Sequence, residues 1–360
     1  MDKERLIDRI EGFLQEAELK PIRIMEVCGT HTQAISKSGI RYLLPNQVKL
    51  LSGPGCPVCV TNEAYIDMAI DLISQENVIL ATFGDMLKVT GSTSCLAEKK
   101  TNNVYTVYSP EDAVDLALKH QDKTVIFLAV GFETTAPIIA ATIKNVFENG
   151  PTNLLFLTSL KRMEPVIRLI LNEDKKRIDG LILPGHVAAV LGAEAFRFVT
   201  DEFKIPSVVC GFEAKDMAEG IHLLLDQITG RTPLSFANLY DRCVSPGGNK
   251  LAQQYINEVF EVKDGIWRGI GKVHNSALMI NQKYKRLDAT HKFTLSEKMY
   301  PESSHCQCSE IILGMKSPFE CHLFGEGCTT EHPLGPCMIS SEGACAIHYR
   351  YGRVHNCLAK

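Results

Sequence analysis

Seven short apolar runs fall at helix-length intervals along the first 210 residues, and they constrain this chain more than anything else in it. They are IRIMEV (22–27), VKLLS (48–52), NVILATF (77–83), TVIFLAV (124–130), NLLFLTS (153–159), DGLILP (179–184) and PSVVC (206–210). Each is continuous rather than alternating, and each ends at glycine, proline or a reactive residue. Continuous apolar strands separated by helix-length segments predict βα units and a parallel sheet buried on both faces. The fold class expected is therefore α/β. The segments after the strands are polar and glycine-rich: CGTHT, GPGCPVC, GDMLKVTGS, GFETTAP, LKRMEP, GHVAAV and GFEAKD. Parallel α/β folds bind ligands at the carboxyl ends of their strands, so these segments are expected to converge.

AVGFETTAPIIAAT and VVCGFEAKDMAEGIH share a Gly-Phe-Glu turn between strand and helix. The recurrence suggests two similar α/β halves, 21–145 and 146–240, facing a central cleft; chance recurrence of a strand-to-helix turn is the alternative. After residue 240 the texture changes, and from Pro301 the chain reads as loops punctuated by cysteine. Residues 241–360 are expected to form a third, cysteine-rich domain, packed with an amphipathic N-terminal helix over residues 1–20.

The net charge of -4 and the lack of a basic patch argue against nucleic acid as a partner. No apolar run approaches a membrane span, and the N-terminus is charged rather than a signal peptide. A soluble, cytoplasmic protein is expected. Thirteen cysteines are then anomalous, because a cytosolic chain uses thiols for metal or redox chemistry rather than as a disulfide framework. Seven follow His305: Cys306, Cys308, Cys321, Cys328, Cys337, Cys345 and Cys357. Cys306, Cys321, Cys328 and Cys345 give the pattern C-x14-C-x6-C-x16-C, which suits a [4Fe-4S] cluster better than zinc, whose sites show two close pairs. Cys308 and Cys337 are substitutes for Cys306 and Cys345, and some of the seven are expected to be plain buried thiols.

Near the other end, Cys28 and His31 stand in CGTHT, and Cys56 and Cys59 in GPGCPVC. Three readings are open. The four can ligate a structural zinc. They can be buried thiols and a core histidine. Or Cys56 and Cys59 can form a redox dithiol ahead of a helix N-terminus, leaving Cys28 and His31 for a metal with open positions. Glu133 and Glu213 are metal-positioning residues or helix caps, Thr134 and Thr135 N-caps, and His186 and Asp85 cleft candidates. Cys95, Cys210 and Cys243 lack close partners and read as structural.

CGTHT, GPGCPVC, TFGDM, VGFETTAP, PGHVA, CGFEAKD and the tail CHLFGEGCT…SSEGACA together resemble the HypD family of [NiFe]-hydrogenase maturation factors over nearly the whole chain. The resemblance implies two similar α/β domains around a cleft and a third domain carrying a [4Fe-4S] cluster. It implies a scaffold that, with the partner HypC, assembles the Fe(CN)2CO moiety, taking cyanide from HypE. Cys28 would bind the nascent iron, with His31 in the same motif. Cys56 and Cys59 would be the family dithiol, and Cys306, Cys321, Cys328 and Cys345 the cluster ligands. The cluster and dithiol are similar to the arrangement in ferredoxin:thioredoxin reductase, so a stand-alone iron–sulfur thiol-disulfide reductase is the alternative. The extra tail thiols leave the ligand set open.

Overall fold

The computed structural model describes residues 21–99, 102–172, 178–293 and 306–356. The helix expected over residues 1–20 and the thiol of Cys357 lie outside the described residues. All seven expected strands are present. In chain order the strands are β1 (Ile22–Glu26), β2 (Val48–Ser52), β3 (Val78–Thr82), β4 (Val104–Thr106), β5 (Thr124–Gly131), β6 (Leu154–Lys161), β7 (Gly180–Leu183), β8 (Ser207–Val209), β9 (Phe236–Asn238), β10 (Phe260–Trp267) and β11 (Gly271–Ile280). They form two sheets, in two compact units.

The units are discontinuous in sequence. The first takes in the chain up to Cys56, Ile167–Asn249 and everything from Gln307 on; the second comprises Pro57–Val166 and Lys250–Cys306. This differs from the contiguous division expected. The boundary placed at 145/146 falls inside the helix Ala136–Asn149. The stretch 241–360 is shared out, because its hairpin joins one sheet while its tail packs in the other unit. One crossing between units lies inside the Cys-Pro-Val-Cys motif, between Cys56 and Pro57.

In the first unit five parallel strands run β2-β1-β7-β8-β9. Ile24 pairs with Leu50 on one side and Gly180 on the other, and Glu26 with Ser52 and Ile182. The helix Ala214–Ile228 buries Met217, Ile221, Leu224 and Leu225, a stripe at helical spacing, against Ile24, Ile182 and Val208. Cys210 sits in this core, fully buried, as its lack of a sequence partner suggests.

In the second unit six strands run β10-β11-β6-β5-β3-β4. The four from β6 to β4 are parallel. The hairpin β10–β11 adds antiparallel to β6, through Ala277↔Lys161 and Leu278↔Leu160. Its end is pinned by the sole tryptophan. Trp267 is buried, its indole N–H donates to Ser276 Oγ at 2.9 Å, and it stacks on Phe132 at 5.9 Å. In the core, Phe127 meets Phe156 edge-to-face at 6.1 Å. The helix Glu63–Ile73 starts at Asn62, whose side chain accepts the Tyr65 N–H; Pro110–Lys119 starts with a Ser109/Asp112 capping box.

Both sheets share one order: the first strand lies between the second and the third. In each, the strand order therefore reverses beside the first strand, at β1/β7 and at β3/β5, and crevices open at such switch points. The two Gly-Phe-Glu turns are not equivalent in this scheme. Gly131-Phe132-Glu133 ends the third strand of its sheet, whereas Gly211-Phe212-Glu213 follows the fourth. The shared topology supports two similar halves; the motif that suggested them is a chance recurrence.

Candidate functional site

Cys28 lies two residues after the end of β1 and is the N-cap residue of the helix Gly29–Ser38, with an extended backbone (φ -149°, ψ 123°). It therefore sits at the β1/β7 switch point, where the Thr30 and His31 backbone N–H groups of the first helical turn point to its sulfur. Two neighbours, Gly55 and Glu342, close in on this helix start. Gly29 N–H donates to the Gly55 carbonyl at 3.2 Å, and a Cβ at Gly55 would lie 2.5 Å from Cys28 N and Cα. A Cβ at Gly29 would lie 2.5 Å from the Glu342 carbonyl oxygen. The segment SSEG of the tail thus packs directly on the start of the Cys28 helix, and only glycine fits there.

Burial pushes the Cys28 thiol up to about 11, against the opposing hydrogen bonds from the His31 and Thr30 backbone. It is a thiol, and a metal that binds it must displace its proton. Beneath it, Glu26 is buried in β1. Glu26 Oε1 accepts from Thr32 Oγ1 at 2.6 Å and Oε2 from the Cys28 N–H at 3.4 Å. Burial raises its carboxyl to about 7. Sequence reasoning missed Glu26. Its one signal was a carboxylate inside an apolar strand.

His31 is fully buried. Its Nε2 lies 3.2 and 3.1 Å from the carbonyl oxygens of Cys210 and Gly211. Both partners are acceptors, so Nε2 must carry the proton. Burial lowers the ring to about 4, which keeps it neutral. Nδ1 is then a lone pair, and it has no hydrogen-bond partner. Phe212 stacks on His31 at 4.7 Å and on His186 at 3.9 Å. One aromatic stack thus joins the loops after β1, β7 and β8. The cleft role expected for His186 becomes a place in this stack.

Cys56 and Cys59 are buried thiols on the turn before the helix Glu63–Ile73. Thr61 Oγ1 donates to the Pro57 carbonyl at 2.9 Å, tying that turn. At the β3/β5 switch point of the second unit lies a cavity of about 460 Å³, lined by Pro57, Val58, Phe83, Asp85, Tyr108 and Thr135 among others. Asp85 is thus at a strand-end cavity, as expected. Glu133 is buried beside the end of β6, accepting the Met163 N–H at 2.8 Å through Oε1, while Oε2 is unpartnered. Burial raises it to about 7. Glu213, by contrast, is exposed and caps the helix Ala214–Ile228. Thr135 occupies the N-cap of its helix without a side-chain cap bond. Cys95 is buried; Cys243, expected to be structural, is exposed.

In the tail, Cys321 and Cys328 share one turn. Phe324 N–H donates to the Cys321 carbonyl and Gly325 N–H to the Cys328 carbonyl, each at 3.0 Å. Cys328 and Cys345 are buried, Cys345 at the start of the helix Ala344–Asn356. Cys337 is fully buried. Cys308 opens the helix Cys308–Ile312, and Cys306 belongs to the second unit. Among the described residues no three His, Cys, Asp or Glu side chains form a group ready to hold a metal ion. The donor set nevertheless fits a cluster in its chemistry: Cys321 and Cys328 lie on one turn, and the Leu334 N–H lies 3.3 Å from Cys328 Sγ, the kind of donor that tunes cluster sulfur. Among the described residues no helix is long and apolar enough to cross a membrane.

With this geometry in view, comparison with known proteins decides the family. The HypD family model, described as "Hydrogenase formation hypA family", matches residues 2–352. The chain belongs to the HypD family. A hydrogenase maturation factor of Bradyrhizobium diazoefficiens is 38% identical over 363 residues, covering 98% of this chain and 95% of that protein. A putative hydrogenase expression/formation protein of Methanocaldococcus jannaschii is 39% identical, covering 97% of each. The HypD maturation factor of Escherichia coli is 38% identical, covering 97% of this chain and 94% of its own length. Similarity to these hydrogenase maturation and expression/formation proteins thus extends across both units and the tail.

Proposed function

We propose that the chain is a cytoplasmic [NiFe]-hydrogenase maturation scaffold on which iron acquires its cyanide and carbon monoxide ligands. The observation that carries this is the Cys28 site: a buried thiol at a strand-order reversal, above a buried carboxylate and one turn from a neutral imidazole. Iron is the cargo. Cys28 supplies one thiolate and the partner HypC a second, which leaves positions open for the Fe(CN)2CO ligands, as a closed four-ligand cage would not. Glu26 fixes the Cys28 backbone, and the carbonyls of Cys210 and Gly211 fix the tautomer of His31. Cyanide comes from HypE. Cys56 and Cys59 form the dithiol that handles electrons, on a turn that Thr61 ties.

A [4Fe-4S] cluster, held by Cys306, Cys321, Cys328 and Cys345, would supply one-electron chemistry to that dithiol. Cys308 and Cys337 remain the substitutes for Cys306 and Cys345. Serine at Cys321 or Cys328 should abolish visible absorbance and loosen the tail, because metal binding to irregular loops is coupled to folding. Full iron and sulfide content in both variants would defeat the assignment.

Infrared spectroscopy of the complex with HypC tests the whole reading. Bands of iron-bound cyanide and carbon monoxide are expected in the native complex and absent with Cys28→Ala, whose fold and cluster should persist. Bands that survive Cys28→Ala would remove Cys28 from the site.

A further inference from the structure

The second unit holds a buried acid that the proposed function does not use. Glu133 is 2% exposed. Its Oε1 accepts the Met163 N–H at 2.8 Å, while Oε2 has no hydrogen-bond partner among the described residues. A buried carboxyl oxygen left in that state calls for a reason. Burial, the largest influence on it, raises the group to about 7, where it can both take and give a proton near neutral pH.

The loop that carries Glu133 runs alongside the turn that carries Cys59. At one end, Pro57 and Val58 line the 460 Å³ cavity together with Val130 and Thr135, which flank Glu133 in sequence. At the other end, Thr61 pairs with Trp267 in an antiparallel bridge, and the Arg268 N–H donates to the Val60 carbonyl at 3.0 Å. Trp267 in turn stacks on Phe132 at 5.9 Å. Residues 57–61 are thus held against residues 130–135 at both ends, with Cys59 inside one segment and Glu133 inside the other. All of them belong to the second unit. Cys59 is 2% exposed, so bulk water is kept from its thiol. The charged groups nearby have other work. Lys161 Nζ donates to the Ile266 carbonyl at 2.8 Å and lies 5.6 Å from the Trp267 ring; Arg268 pairs with Glu63 at 2.8 Å, and Arg162 with Glu164 at 3.7 Å. Arg162 lowers the Glu133 carboxyl and Glu164 raises it, both less than burial does. Asp85, on the cavity, is only partly buried.

We infer that Glu133 is the proton acceptor of the Cys59 thiol. The thiolate is the form that exchanges with disulfides, and a buried thiol needs a buried base to reach it. Closing the Cys56–Cys59 disulfide gives two electrons to an external disulfide, whose S–S bond breaks to one thiol and one thiolate. The Cys59 proton goes to the Glu133 carboxylate, and the Cys56 proton to the first sulfur that leaves. When an external thiol reopens the disulfide, Glu133 returns its proton to Cys59. The inference rests on the reading of Cys56 and Cys59 as a redox dithiol.

The test follows the Glu133 side-chain carboxyl by NMR in the ¹³C,¹⁵N-labelled full chain. The dithiol is held open by dithiothreitol and then closed by oxidised glutathione, with peptide mass reading its state. The midpoint of the Glu133 titration should differ between the two states by about half a pH unit or more, because an acceptor senses whether the thiol is there. A carboxyl with a purely structural role would titrate alike in both. Near pH 7, Glu133→Gln should slow closure by oxidised glutathione roughly 100-fold, while Glu213→Gln, at the exposed helix cap, should leave it unchanged. The titration uses the unsubstituted chain, so it decides the matter even if Glu133→Gln folds poorly. A disulfide that forms while the Glu133 midpoint stays fixed would overturn this inference alone. Failure of oxidised glutathione to form any Cys56–Cys59 disulfide would overturn it together with the redox reading of the pair.

Discussion

The two sheets reverse their strand order in the same way, yet the chemistry at the two reversals differs. At β1/β7 the space is filled: a thiol, a carboxylate and a locked imidazole are packed under Gly55 and Glu342. At β3/β5 a cavity is left open, with an exposed Tyr108 on its edge. Topology therefore supplies a crevice in each case. What fills it depends on the side chains of the loops, and the closed crevice keeps its polar groups by pairing them, Glu26 with Thr32 and the Cys28 N–H, His31 with the Cys210 and Gly211 carbonyls.

The sharpest break in this comparison is steric. Gly55→Ala should destabilise the first unit by about 3 kcal/mol or more, because its new methyl would fall on Cys28 backbone that cannot give way. Gly84→Ala, at the other reversal, meets only Thr106 Cγ2 at 3.5 Å and should change stability by less than about 1 kcal/mol. Denaturant unfolding of the two variants measures both. Equal losses would mean that the crevices are equally packed.

A smaller difference is expected in pH dependence. Glu133 has a folded pKa of about 7, above its ordinary 4.5, so the folded chain binds more protons between those values. The stability it contributes is whole below about 4.5 and is lost as pH rises through 7. Glu26 behaves alike, but His31, lowered to about 4 from 6.5, acts oppositely: its contribution is present above 6.5 and lost as pH falls through 4. The two offset one another in the first unit. Glu133→Gln should thus flatten the fall in stability between pH 5 and 8 by about 2 kcal/mol. An unchanged profile would contradict the burial of a carboxyl held there by a single hydrogen bond.

The smallest effect is kinetic. With its pKa near 11, Cys28 at pH 8 should react with iodoacetamide roughly 100-fold more slowly than a thiol of pKa 9, from thiolate fraction alone. Mass spectrometry of labelled peptides, with an added cysteine-containing model peptide as the reference, reads the ratio. Equal rates would show that the crevice at Cys28 is open after all.

These contrasts mark what the sequence made legible. Six of the seven expected strands lie inside their sheets, β2 being at an edge, and they announced themselves because strands buried on both faces are continuously apolar, as in VILAT and VIFLAV. The edge strands β4 and β9 are three residues long and only partly buried, so they carry no such signal. The β10–β11 hairpin mixes charges into its exposed positions, from Glu261 to Asp264, and read as irregular chain. Cys28 and His31 could be named from their residue types and spacing. The carbonyls that set the His31 tautomer could not, because they come from Cys210 and Gly211, about 180 residues on. Glu26 hid inside a strand pattern. The interleaving of the two units was equally invisible, since periodicity reports local structure and not which strand a distant segment will join.

That interleaving has a consequence for how the chain is born. β1 and β2 leave the ribosome first, but β7, the neighbour that completes β1, is made about 150 residues later. At roughly 5–20 residues per second the wait is about 8–30 s. During it, β3 to β6 can pair among themselves while the apolar flank of β1 stays uncovered. The thiol-bearing segment after β1 is therefore made long before it is enclosed, since Glu342, which closes over Gly29, is made about 310 residues later. Nascent-chain protease protection should appear first within residues 57–166, and around Cys28 only once Glu342 has emerged.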